Sequence, residues 1–116
     1  KRRFEMFLNK TQQYFSLYQD DWRAFCDAAS HITKVHSTTK EEFLLYKAQK
    51  WVEMAIAIEE NPITLYTYGR LLIELNDKAL AKEKFESAIN ASKKKTNAEN
   101  DYFRELAEKE LKEMDL

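Results

Sequence analysis

One glycine and one proline in 116 residues constrain this chain more than any other feature. Tight β-hairpin turns rely on glycine or asparagine at positive φ, and proline punctuates loops. A chain so poor in glycine and proline has few places to reverse except at helix ends. Its apolar residues also recur at three and four positions rather than two, the helical period. The fold class expected is all-α, in a single domain over 1–116, since domains commonly run to about 100–150 residues.

The helices can be placed from apolar stripes and end signals. Phe4, Phe7, Leu8, Thr11, Phe15 and Tyr18 share one face of a helix over about 1–18. Asp20-Asp21 supplies N-cap chemistry for a second helix carrying Trp22, Phe25, Cys26, Ala29, Ile32 and Val35, which His36-Ser37-Thr38-Thr39 should break. Thr39-Lys40-Glu41-Glu42 reads as a capping box for a long helix over about 40–60, with Phe43, Leu44, Ala48, Trp51, Val52, Ala55 and Ile58 inward. Asn61-Pro62 is a joint, because asparagine suits an N-cap and proline the first helical position. It opens a helix over about 62–75 with Leu65, Tyr68, Gly69, Leu72 and Leu75 on its buried face. Asn76-Asp77 turns the chain into a helix over about 78–92 that buries Leu80, Ala81, Phe85, Ala88 and Ile89. Lys93-Lys94-Lys95 forms a solvated end. Thr96-Asn97-Ala98-Glu99 caps a last helix over about 98–114 with Tyr102, Phe103, Leu106, Leu111 and Met114. Its Glu105–Lys109 and Glu108–Lys112 pairs are worth about 0.3 kcal/mol each. The aromatics Trp22, Phe43, Trp51, Phe85 and Phe103 are expected in the core.

Composition excludes several functions. A net charge of -1 argues against a general nucleic-acid binder. One cysteine rules out an internal disulfide and any multi-cysteine zinc site. No apolar run reaches the roughly 20 residues of a membrane span, and one glycine leaves no glycine-rich phosphate loop. Cys26 lies on the apolar face of its helix, which favours a buried structural thiol over a nucleophile. His31 is five residues on and poorly placed to activate it. His31 and His36 are likewise five apart, not the i,i+4 spacing of two ligands on one face, so no metal is expected. Glu41-Glu42, Glu59-Glu60 and Asp20-Asp21 are adjacent helix or cap residues whose side chains diverge. The Lys93–Lys95 run is a solvated end before it is a phosphate site. No converging catalytic set and no cofactor site emerges.

A repeat lies in the middle of the chain. Ala48, Val52, Ala55 and Ile56 recur as Ala81, Phe85, Ala88 and Ile89, each offset by 33 residues, a period of stacked helical pairs. The pattern Leu65-x2-Tyr68-Gly69-x2-Leu72, then Ala81-x3-Phe85-x2-Ala88, resembles the tetratricopeptide repeat. Gly69 and Ala81 would allow close helix approach, Leu65 and Phe85 would fill the gap, and Ala88 would admit the next helix. The preceding unit departs from the pattern. Ala29 replaces the glycine, and Ala29 to Ala48 spans 19 residues where Gly69 to Ala81 spans 12. Lys93 stands near the place of the expected proline.

The resemblance implies antiparallel helix hairpins stacked as a short right-handed array of about six helices. Residues 1–36 form an N-terminal helical pair, 40–92 the repeat-like core and 98–114 a capping helix, with Phe4, Phe7, Leu8 and Phe15 covering the N-terminal side. It also implies a concave face lined by Tyr66, Arg70, Ile73 and Glu74, open to a partner or filled by the chain's own N-terminal helix. The stretch from Tyr46-Lys47-Ala48-x2-Trp51 through Ala55-Ile56 and Pro62 to Ala88-Ile89 further resembles the helical C-terminal region of bacterial thioredoxin-like, thiol-disulfide isomerase family proteins. The start at Lys1-Arg2-Arg3-Phe4, with no initiator methionine, implies a piece of a longer protein or a matured chain, and the likeness favours the piece; it also implies a periplasmic location, with a cytoplasmic one as the alternative, since one cysteine fits either compartment. The function expected is a non-catalytic protein-interaction module, engaging a protein partner or an adjoining domain of its own chain, without membrane insertion. A structural or dimerisation element of an envelope protein and a small-ligand-binding helical domain are the alternatives.

Overall fold

The computed structural model describes residues 2–39 and 42–115, with side chains described for 5–35 and 42–115. Among the described residues six helices follow one another: α1 (Arg2–Leu17), α2 (Trp22–Thr39), α3 (Glu42–Ile58), α4 (Pro62–Glu74), α5 (Lys78–Lys94) and α6 (Ala98–Met114). The described residues contain no strand. The Cα positions extend 39 × 32 × 20 Å, so the shortest dimension is about two helix diameters.

Most joints are where the sequence places them, for chemical reasons visible at each. Asn61 Oδ1 accepts from the Ile63 and Thr64 N–H groups, while Thr64 Oγ1 accepts from the Asn61 N–H at 3.0 Å. This reciprocal box, with Pro62 behind the cap, fixes the start of α4. At the other end Asn76 takes φ 64°, the left-handed conformation that asparagine tolerates better than most residues. Its N–H bonds to Ile73 O and that of Asp77 to Leu72 O, the two bonds of a Schellman closure. Asp77 then caps α5 by accepting from the Leu80 N–H. Asn97 does the same for α6 through the Asn100 N–H. Asp21 accepts from the Ala24 N–H at the start of α2.

One joint differs. Helix α2 does not break at His36-Ser37-Thr38-Thr39 but runs on to Thr39. Serine and threonine are only mildly unfavourable in helices, and no glycine or proline stands there to end one. Helix α2 therefore continues ten residues past Ala29, against five for α4 past Gly69, which accounts for most of the longer spacing to Ala48. The capping box proposed at Thr39–Glu42 and the side chain of His36 lie outside the described residues.

Helix α4 is the centre. It packs on α2, α3, α5 and α6, and nine of its 13 residues are buried. A helix enclosed on so many sides must be apolar nearly all round, as Pro62-Ile63-Thr64-Leu65 and Leu71-Leu72 are. Its buried hydroxyls find partners: Thr67 Oγ1 donates to Ile63 O at 2.8 Å within the helix, Thr64 Oγ1 bonds to backbone carbonyls just before it, and the Tyr68 hydroxyl donates to Glu53 of α3. The closest pairings are α2 with α3 and α4 with α5. Gly69 sits where α4 meets α5. Its φ is not positive, so it is needed for space rather than conformation. A Cβ there would stand 2.5 Å from Phe85 Cε1.

The core runs from Phe15 through Phe25, Ile32, Leu44, Val52, Leu65, Leu72 and Phe85 to Ala107. Ala48, Ala81 and Ala88 are wholly buried. Helix α1 joins the core chiefly through Phe15, whose ring stacks on Phe25 at 3.9 Å and meets Trp51 edge-on at 5.4 Å. Phe7 and Leu8 are half-buried against the core, so the N-terminal cover is real for these three; the Phe4 side chain lies outside the described residues.

The expected aromatic core is corrected at Phe43, which is 61% exposed. Three large apolar residues stand in a row, Phe43-Leu44-Leu45, and only two adjacent ones can face inward. Leu44 and Leu45 do, turning the stripe by one position. Trp22 and Phe103 are half-buried, and Tyr18, expected on the inner face, lies exposed beyond the end of α1.

Candidate partner-binding face

The four residues expected to line a concave face divide into two pairs. Tyr66 and Arg70, one helical turn apart on α4, meet α6. The Tyr66 ring is half-buried, with centroids 5.6 Å from both Phe85 and Phe103. Burial pushes its hydroxyl up to about 12, the negative charge of Glu110 acting in the same sense and Arg70 opposing it. Arg70 Nη1 lies 3.4 Å from both carboxylate oxygens of Glu110. Ile73 and Glu74 instead border a cleft of about 320 Å³ with Glu42, Leu45 and Tyr46 of α3.

The Arg70–Glu110 pair is loosely made. Charge-assisted N–H···O bonds usually measure about 2.7–2.9 Å and use both edges of the guanidinium. Here one nitrogen serves both oxygens at the outer limit of bonding. The Arg70 side chain is 39% exposed, so an incoming carboxylate or peptide carbonyl can compete for it. A rigid aromatic body beside a fork of donors is a recurrent anchor in protein recognition.

A second ion pair crosses the molecule. Arg23, at the start of α2, grips Glu99, at the start of α6, with bonds of 3.0 and 2.8 Å. The Arg23 guanidinium also lies over the Trp22 ring at 4.5 Å. The sequence singles out neither Arg23 nor Glu110, and marks Phe103 only as core and Glu99 only as part of a cap. Pairs separated by 40 and 76 residues leave no periodic trace; only the placement of Glu99 in the first turn of α6 was legible.

The other candidates carry less chemistry. Cys26 is buried, and that burial pushes its thiol up to about 12, against a hydrogen bond with Thr67 that lowers it. A thiol held protonated is a poor nucleophile. His31 is exposed and its ring meets Phe7 at 4.6 Å. Glu59 contributes its backbone carbonyl to Thr64 Oγ1, and Asp21 accepts from the Tyr14 hydroxyl, which holds its carboxyl below the usual aspartate range, with the Ala24 N–H adding to the effect. Lys94 and Lys95 edge a cleft of about 430 Å³ shared with Glu59, Glu60, Asn90 and Asn100. Charges of both signs meet there, which does not favour an anion. Among the described residues, no group of three or more His, Cys, Asp or Glu could hold a metal ion, and no helix is long and apolar enough to cross a membrane. No known protein family, curated protein or solved structure matches this chain.

Proposed function

We propose that the chain is a short tetratricopeptide-like helical array serving as a non-catalytic protein-interaction module, with the Tyr66–Arg70 face of α4 as its contact surface. The observation that carries this reading is the pairing of helices. Alternate helices α2, α4 and α6 touch in succession, while α3 and α5 each pack most closely on the helix before them. Hairpins stacked side by side produce that pattern.

The register supports it. Phe25-x2-Ala28-Ala29-x2-Ile32 in α2, Leu65-x2-Tyr68-Gly69-x2-Leu72 in α4 and Phe103-x2-Leu106-Ala107 in α6 place a small, buried residue at the same step. Helix α6 then begins a third unit rather than only capping the second. On this reading the α2–α4–α6 side is the recognition surface, strapped at one end by Arg23–Glu99 and offering Arg70 and Tyr66 further along. The thioredoxin-like parent rests on packing residues alone, and the coding sequence upstream of Lys1 tests it directly.

The interaction reading is tested by selecting displayed peptides on the wild-type chain with counter-selection on Arg70→Gln. Enriched peptides that bind the wild type and lose at least about tenfold on Arg70→Gln support it. Peptides that bind both proteins equally, or no enrichment, would overturn it. Tyr66→Phe is the companion variant, since Tyr66→Ala would also remove the ring that fills the space between Phe85 and Phe103.

A further inference from the structure

The outer side of α3 carries large side chains that the fold leaves uncovered. Phe43 and Tyr46 are 61% and 62% exposed, and Met54 is 38% exposed. They border a groove of about 380 Å³ whose other residues are Gln12 of α1 and Lys47, Lys50 and Trp51 of α3. Trp51, nearly buried, forms its floor. This face lies on a helix other than α4, so it is separate from the Tyr66–Arg70 surface.

Two features of the groove specify an occupant. Lys47 and Lys50 form no ion pair with any carboxylate among the described residues. They stand between an aromatic and a thioether: Phe43, Lys47, Lys50 and Met54 follow at steps of four, three and four, one continuous line on a helix. That line spans eleven residue steps, or about 16 Å at 1.5 Å per residue. Its complement is a helix of about three turns with apolar residues near its ends and carboxylates between them, laid along the trough between α1 and α3 in the helix-in-groove manner.

We infer that the α1–α3 groove is a docking site for a short acidic amphipathic helix of a partner protein, its apolar side chains seated against Phe43, Trp51 and Met54 and its carboxylates on Lys47 and Lys50. The unpaired cations select against basic and neutral partners, because like charges or unpaired lysines at such a contact disfavour association.

The probe is an end-blocked, fluorescein-labelled peptide of about three helical turns, with leucines near both ends and glutamates between. Controls carry glutamine or lysine in place of glutamate. Anisotropy titrations are run at low and high salt on the full chain. The account expects saturable binding of the glutamate peptide that weakens with salt. It expects a loss of at least about tenfold in Lys47→Glu/Lys50→Glu and in Phe43→Ser/Met54→Ser, all side chains whose change leaves the core untouched. It also expects the lysine peptide to bind Lys47→Glu/Lys50→Glu better than it binds the wild type. Equal binding of the glutamate and glutamine peptides, or no effect of the lysine changes, would overturn it. So would wild-type dimers dispersed by Phe43→Ser, which would make the face a self-association surface. Binding to anionic vesicles without binding to the peptide would overturn it in favour of a lipid surface. Arg70→Gln should leave this binding unchanged, so the outcome is independent of the α4 face.

Discussion

Gly69→Ala should destabilise the protein, although the same change in an exposed helix would stabilise it. Glycine in a helix interior costs about 1 kcal/mol relative to alanine, so propensity alone favours the substitution. Space opposes it. The new methyl group would stand 2.5, 2.8 and 2.8 Å from three atoms of the Phe85 ring, where ordinary contact needs about 3.4–4 Å. Phe85 is wholly buried, and its ring also meets Tyr66 at 5.6 Å, so relief requires moving a close-packed aromatic by the better part of an ångström. Overpacking of this kind costs about 1–3 kcal/mol. After the propensity gain, a net loss of about 1 kcal/mol is expected, or a melting temperature lower by roughly 4 °C for a domain of this size. Urea melts followed by tryptophan fluorescence measure it. The diagnostic is the double variant Gly69→Ala/Phe85→Leu, which should cost about 1 kcal/mol less than its two single changes together, because the smaller side chain removes the clash. A Gly69→Ala protein more stable than wild type, or strictly additive changes, would refute the close α4–α5 approach.

Other outcomes follow from the joints and the buried acids. Asn76→Val should cost about 1–2 kcal/mol in a thermal melt, since a β-branched residue resists φ 64°, whereas Asn76→Gly should be neutral or stabilising. Asn61→Ala should cost about 1 kcal/mol by removing the cap bonds to Ile63 and Thr64. Stability should fall at alkaline pH: Cys26 and Tyr66 both titrate near 12 in the folded chain and near about 8.5 and 10 unfolded. Between about pH 9 and 12 the unfolded state binds fewer protons, so raising the pH favours it. Urea midpoints taken across that range should decline, and less steeply in Cys26→Ala. Cys26 should react with a thiol reagent at neutral pH only on unfolding, which timed absorbance in and out of denaturant checks.

Much of the scaffold was legible because its signals are local. Asn61-Pro62, Asn76-Asp77 and Asn97 act through bonds within five residues of themselves, so their spacing carries the geometry. The small residues Ala48, Gly69, Ala81 and Ala88 were legible from their spacing, and all four are buried. Local periodicity fails where several apolar residues are adjacent, as at Phe43-Leu44-Leu45. It also fails where a weak breaker is overridden, as at His36–Thr39. The candidate faces were less visible. Tyr66 and Arg70 were marked by register, but Glu110 and Phe103, which decide what those two can do, arrive from a helix 40 residues away. The α3 groove became visible only once Phe43 turned outward beside two lysines.

The claim that matters most is that the α4 face receives a protein segment, and amide spectra of the ¹⁵N-labelled chain titrated with a display-selected peptide test it most directly. The account predicts saturable shifts centred on Tyr66 and Arg70 and reaching Phe103 and Glu110 across the contact, lost in Arg70→Gln. Shifts confined to another side of the molecule, such as the outer side of α5, or shifts that persist unchanged in Arg70→Gln, would contradict it.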